Sequence, residues 1–221
     1  VQAVRGGSAS TFASNSPGGV INLITATGSQ DGGSLTLTRG VDFDTTRGDF
    51  QYGGHITENL YGSVGGFYRS GEGAREAGFN GENGGQIRAS LTQEFANGYL
   101  RVSGKYLNDR AIGYLPSPIQ VTGTNSDPNW GPLPGYDASS QTLHSALFQV
   151  SPGLDGSNGP RVSDIKDGMH PEVLSAGVEA SFDVGSGWTL TNRFRIASAS
   201  GRFVSPFTAG TGSPSAVAAG I

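Results

Sequence analysis

No cysteine occurs in this chain, so neither a disulfide scaffold nor a cysteine-ligated structural zinc site is available to hold it together. Methionine occurs once, at Met169, and histidine only at His55, His144 and His170. The histidines stand in separate contexts, with no His-Glu-x-x-His pair, and no serine sits in a Gly-x-Ser-x-Gly elbow. No catalytic or metal-binding constellation is therefore legible, and the sequence predicts neither an enzyme nor a resident cofactor. Acidic pairs such as Glu72 and Glu76 read as solvated loop charges. Asp155-Gly156-Ser157-Asn158 lacks the terminal glutamate of a calcium loop and is rejected as one. Also missing is any run approaching the roughly 18 apolar residues of a membrane-spanning helix, so contact with a bilayer would have to be made by strands. The net charge of −4, without a basic stripe carrying interleaved aromatics, disfavours nucleic acid as a partner.

Glycine is abundant, 37 of 221 residues, and beyond residue 33 the chain alternates apolar and polar side chains over long stretches. Residues 34–41, 48–56, 60–70, 85–95, 99–109, 172–183 and 188–200 read as seven antiparallel strands. In 85–95, Ile87, Ala89, Leu91 and Phe95 oppose Gln86, Arg88, Ser90, Thr92 and Glu94; in 99–109, Leu100, Val102, Gly104 and Tyr106 oppose Arg101, Ser103, Lys105 and Asp109. Several approach the length of about 9–11 residues that crosses a hydrocarbon layer at a tilt, with one apolar and one polar face. Short connections at 57–59, 96–98 and 185–187 take turns with long ones at 71–84 and 113–171, and only 42–46 is unexpectedly short. Phe95, Tyr99, Phe182 and Trp188 fall beside the short turns, where an interfacial aromatic girdle belongs. A soluble β-sandwich would alternate too, but has no reason to sort its loops by length.

The opening stretch, 1–27, has a different grammar. Two short β-branched segments, 1–4 and 20–24, flank a compact connector in which Gly6-Gly7 permits a sharp turn, Ser8 is placed to cap about one helical turn over 8–13, and 15–19 turns the chain back. Asn22 sits among Val20, Ile21, Leu23 and Ile24. Both faces of that segment should therefore be buried around one hydrogen-bonded amide. Arg5-Gly6-Gly7-Ser8 is no phosphate loop, because neither Gly-x-Gly-x-x-Gly nor a Gly-Lys-Ser/Thr ending is present.

Val-x-x-Val-Arg5-Gly6, small residues with Phe12, then Asn15-x-x-Gly18-Gly19-Val20-Ile21-Asn22-Leu23-Ile24-Thr25 resembles the end of the plug domain in TonB-dependent outer-membrane receptors. The likeness covers about an eighth of the chain. The chain departs from the commonest pattern at Gly7, at Ala13-Ser14 and at Ala26, where proline, Tyr-Gly and lysine are usual. The resemblance implies an all-β fold: an antiparallel transmembrane β-barrel, here partial with about seven strands, preceded by the C-terminal part of a plug. Residues 1–28 would end the plug, 29–33 would link, and 34–221 would begin the barrel with a long extracellular loop at 113–171. Because the chain opens inside the motif and a barrel of this type needs about 22 strands, the rest of the protein is expected beyond both ends.

By the same resemblance, the protein would sit in the bacterial outer membrane, in contact with lipid. It would import a scarce nutrient such as a ferric siderophore, cobalamin or an oligosaccharide when TonB, bound through a segment absent from this chain, pulls on the plug. A passive porin-like channel and a soluble β-sandwich with a binding or adhesion role are the alternatives. Plug-motif residues are Arg5, Gly6, Asn15, Gly18, Gly19 and Asn22. Arg88, Glu94, Arg101, Lys105, Glu179, Arg193 and Arg195 should line the lumen, where wall charges would pair with plug charges such as Arg5. Tyr114, Trp130, Tyr136 and His144, in a loop long enough to be functional, are the ligand-contact candidates.

Overall fold

The computed structural model of the chain describes residues 1–6, 18–207 and 212–219. It is an all-β molecule built on one seven-stranded antiparallel sheet whose order follows the chain: β3 (Gly32–Arg39), β4 (Thr45–Thr57), β5 (Leu60–Gly71), β6 (Glu82–Phe95), β7 (Gly98–Arg110), β12 (Met169–Gly185) and β13 (Trp188–Phe203). All seven expected strands form. Each pairs with the next along the chain, β7 with β12 included, so 58 residues can be inserted between two neighbours without disturbing the meander. The sheet is open, with β3 and β13 at its edges.

Connections of two residues join β4 to β5, β6 to β7 and β12 to β13 at one end, while 40–44, 72–81 and 111–168 lie at the other. The strands run longer than the alternation predicts, and most of the excess lies at the long-loop end: β6 begins at Glu82 and β12 at Met169. There the ladder is held by a side-chain clamp. Arg69 on β5 reaches across β6 to Asp109 on β7, donating at 3.0 and 2.7 Å, and approaches Glu82 at 3.4 Å. Residue 84 stands between them in register. It is glycine with φ +130°, and a Cβ there would lie 2.3 Å from the Asn108 carbonyl oxygen, so the missing side chain clears the path of the guanidinium.

The 113–171 stretch is not a plain loop. It folds into two hairpins, β8 (Gln120–Thr124) with β9 (Asp127–Gly131) and β10 (Val150–Leu154) with β11 (Pro160–Asp164), followed by a 3-10 turn at Ile165–Asp167. Local pairing of this kind satisfies backbone groups that a long structureless segment would leave to water. Asp155 closes the second hairpin, accepting from the backbone N–H of Ser157 and Gly159 at 2.8 Å each, so these residues are a turn device. Glu72 corrects the expectation of a purely solvated charge: half-buried, its carboxylate accepts from the Ala77 and Gly78 N–H groups and shapes loop 72–81.

The first strands form a separate antiparallel hairpin, β1 (Gln2–Arg5) with β2 (Gly19–Asn22). The Ser8 cap, Phe12 and Asn15 lie outside the described residues, as does most of the connector. One expectation fails here. Asn22 is exposed, with its side-chain N–H donating to Gln2 Oε1 at 3.2 Å, and Ile21, Leu23 and Ile24 are 73%, 74% and 62% exposed. Two short strands cannot bury both of their faces without further layers. A short helix, α1 (Pro214–Ala218), closes the described chain.

Among the described residues the only buried hydrophobic side chains are Tyr61, Ala77 and Ile112, which is no ordinary core. Register fixes why. Leu35, Phe50, Val64, Ile87, Leu91, Val102, Val178, Phe194 and Ile196 share one face, and all are exposed. No second layer of the described chain covers them. Phe95 and Phe182 meet on this face, ring centroids 5.7 Å apart, across Gly98, and Trp188 lies beside them at the short-turn rim. Tyr99 does not join the girdle. Its register partner is Glu94, which puts it on the polar side, where its hydroxyl bonds Glu179.

Candidate functional site

The polar face is organised in rows that cross the strands. One row in from Glu94, Tyr99, Ser181 and Thr191, which lie nearer the short turns, Tyr61, Thr92, Arg101, Glu179 and Arg193 stand side by side on β5, β6, β7, β12 and β13. The next row is Ser63, Ser90, Ser103, Gly177 and Arg195, and the one beyond it Gly65, Arg88, Lys105, Ser175 and Ala197. All seven residues expected to line a lumen, Glu94 included, fall on this face.

Three of these seven, Arg101, Glu179 and Arg193, close on one another. Glu179 accepts from the Tyr99 hydroxyl at 2.5 Å and lies 3.3 Å from Arg193 Nε and 3.8 Å from Arg101 Nη1. Arg101 Nε donates to Thr92 Oγ1 at 2.9 Å, and Thr92 is fully buried. Within a row, neighbouring strands lie about 4.8 Å apart, so long side chains of opposite charge meet without any backbone adjustment. Arg47 and Asp49, two residues apart on β4 and hence on one face, pair at 2.6 Å, and Arg47 also stacks 4.0 Å above the Phe67 ring.

The chain leaving the β1–β2 hairpin lies against this face. Residues 23–27 wall a cavity of about 710 Å³ whose floor carries Gln51, Ser63, Arg88, Lys105, Ser175 and Arg195. Three contacts hold the segment down. The Ser63 hydroxyl donates to the Ala26 carbonyl at 2.8 Å. Gly28, buried and at φ +88°, passes so close to β5 that a Cβ would fall 1.9 Å from the Gly62 carbonyl oxygen. The Asp31 carboxylate accepts the His55 backbone N–H at 2.7 Å and stands 3.1 Å from His55 Nδ1. His55 in turn packs against Tyr61, ring centroids 5.3 Å apart. The segment is thus tied to the sheet by a backbone carbonyl, a glycine and one carboxylate. Arg5 ends β1 opposite Gly19.

The His55 N–H, its largest influence, holds the Asp31 carboxyl below its ordinary value of 3.8. A carboxylate with a depressed folded pKa stabilises above its unfolded value and loses that contribution as pH falls through the folded one. Acidification from pH 5 to below about 3.8 is therefore expected to lower the protection factor of the His55 amide, its exchange being read against an unstructured peptide at the same pH. Asp31→Asn should show the lower protection already at pH 5, with little further change on acidification. A protection factor at His55 that ignores both pH and the substitution would remove the clasp.

The four ligand-contact candidates have different surroundings. Tyr114 lies under the Arg75 guanidinium, 5.2 Å from ring centroid to Cζ, and burial raises its hydroxyl pKa. Trp130 is on β9 and 62% exposed. Tyr136 pairs its backbone with Leu133, and its hydroxyl is buried without a hydrogen-bond partner among the described residues. His144 is buried, bonded through Nδ1 to Thr142 Oγ1 at 2.6 Å, and burial lowers its pKa. It packs beside Phe79, ring centroids 6.2 Å apart, where 140–146 rests on loop 72–81. Among the described residues no group of three or more His, Asp or Glu side chains is gathered to hold a metal ion, and no helix is long and apolar enough to cross a membrane, which leaves strands untouched as a means of crossing.

Sequence reasoning missed the Arg69–Asp109–Glu82 clamp, the Tyr99–Glu179 bond and the Asp31–His55 clasp. Strand parity gave the face of each residue, but only the register says which strands' residues share a row. Comparisons with protein-family models, with curated proteins and with solved structures find no match to this chain.

Proposed function

We propose that the chain is the end of the plug and the first seven wall strands of a TonB-dependent outer-membrane receptor. Its apolar sheet face meets lipid, and its polar face encloses the plug. One observation carries this reading: the sheet leaves its apolar face bare while its polar face receives residues 23–31. In water that arrangement is inverted, since apolar area is left exposed at about 25 cal/mol per Å² while polar groups are covered. In a bilayer it is the favourable one.

An open sheet edge inside hydrocarbon would leave unpaired N–H and C=O groups at several kcal/mol each. The wall therefore closes through strands additional to these seven. The bare apolar face speaks against a soluble sandwich, whose inner faces are sealed. The segment pinned across the polar face favours a plugged receptor over a passive channel. Function lies in binding and energised transport of a nutrient or metal chelate, with no chemical step. The structured hairpins of 111–168 provide the surface at the long-loop end that would meet ligand, and TonB engages a segment outside this chain.

Uptake tests the proposal. Cells that depend on the protein should accumulate a ferric siderophore, cobalamin or an oligosaccharide, and a proton uncoupler should abolish that accumulation. Uptake that persists undiminished with the proton gradient collapsed would mark a passive channel instead.

A further inference from the structure

We infer that Arg88, Lys105 and Arg195 form a binding site for a small polyanion carrying phosphate or several carboxylate groups, in the cavity between residues 23–27 and the sheet. Three observations lead there. All three cations line that cavity, yet none has a carboxylate within ion-pair distance among the described residues. Glu179, the one acid on the cavity wall, is already shared among Tyr99, Arg101 and Arg193. The space around the cations is filled with small donors, Ser63, Ser90, Ser103 and Ser175, the last of them buried.

Register brings the cations within common reach. Arg88 and Lys105 are direct cross-strand partners, with backbones about 5 Å apart. Arg195 stands two strands from Lys105 and one row nearer the short turns, about 12 Å away by strand spacing and rise. The positions between them are Ser175 and Gly177, which do not block the arms. Lys105 is half-buried while Arg88 and Arg195 are exposed. An approaching anion therefore finds exposed guanidinium forks beside a half-buried ammonium. Like charges gathered under a covering segment repel one another more than they would in open water. An anion relieves that repulsion, and a single negative charge cannot serve three cations spread over four strands. A cavity of about 710 Å³ is in the range that holds a small molecule. The site does not depend on uptake or on TonB.

The test is calorimetric titration of the full-length protein, closing strands included, in detergent at low salt, with inorganic pyrophosphate and separately with citrate, against glucose as the uncharged control. At least one of the two anions should bind, and the stronger identifies phosphate or carboxylate chemistry. Lys105→Gln and Arg195→Gln should each weaken binding at least ten-fold. The charge-preserving variant Arg88→Lys/Lys105→Arg/Arg195→Lys should stay within a few-fold of the parent, and Arg161→Gln on β11 should not matter. Should the neutral variants fail to fold, the parent's salt dependence decides. Affinity should fall steeply with added salt, as multiple charge contacts require. Absence of binding by both anions, or equal binding by the triple glutamine variant, overturns the site.

Discussion

Replacing Gly28 by valine is expected to lift residues 23–31 off the sheet. The new Cβ would sit 1.9 Å from the Gly62 carbonyl oxygen and 2.3 Å from its carbon. These are backbone atoms of a paired strand and cannot swing aside. Gly28 also has φ +88°, a conformation that a β-branched residue adopts only at a cost. Strain and overpacking together come to roughly 3 kcal/mol or more, beyond what the Ser63–Ala26 hydrogen bond and an exposed carboxylate clasp can offset. Because the chain has no cysteine, the readout is clean: Ala26→Cys with Ser63→Cys, joined by a short bifunctional thiol reagent. Cross-linking should be efficient in the Gly28 background and fall at least ten-fold with valine. Gly131→Ala, at a position with nothing within 4 Å of the added Cβ, should leave it unchanged. Undiminished cross-linking in the valine variant would mean that the close passage at Gly28 does not govern the segment.

An arginine at Val102 should have the second large effect, and its sign separates a lipid wall from a soluble sheet. Val102 is central on β7, on the apolar face, 44% exposed and flanked in register by Leu91 and Val178. Facing water, such a position accepts arginine at little cost. Facing the middle of a bilayer, the charge costs about 2–4 kcal/mol, so folding of the full-length protein, closing strands included, into vesicles should weaken by a factor of roughly 30 to 1000. Thr36→Arg, on the polar face and opposite Asp49, should fold as the parent does. Equal folding of both variants in vesicles would remove the lipid-facing wall from the account.

The same geometry explains why glycine is so frequent in a molecule without a conventional core. At residue 84 its bareness lets Arg69 span a strand to Asp109, and at residue 98 it lets Phe95 touch Phe182. At residue 28 it lets one backbone lie on another. In the first two cases the glycine sits where two larger partners meet over it, and in the third it is itself one of the two backbones in contact, roles that composition cannot reveal.

What the sequence by itself determined is the set of seven strands, their antiparallel order and the face each side chain occupies. Those follow from a period of two and from connection lengths, and both are local properties. It could not determine which residues share a row, because register depends on how neighbouring strands slide against one another. The Glu179 cluster and the Arg69 clamp were therefore decided only in the assembled sheet, whereas the polar-side place of Tyr99 already followed from its parity with Arg101 and Ser103. The hairpins inside 113–171 were hidden for a related reason: five-residue strands rich in proline and glycine carry too little alternation to stand out. The Asn22 network expected to be buried is instead exposed, since burial depends on layers that a strand's own residues do not contain. The seat of 23–31 on the polar face is likewise a tertiary fact, set by a glycine, a serine hydroxyl and one aspartate whose partners lie 24 to 37 residues away.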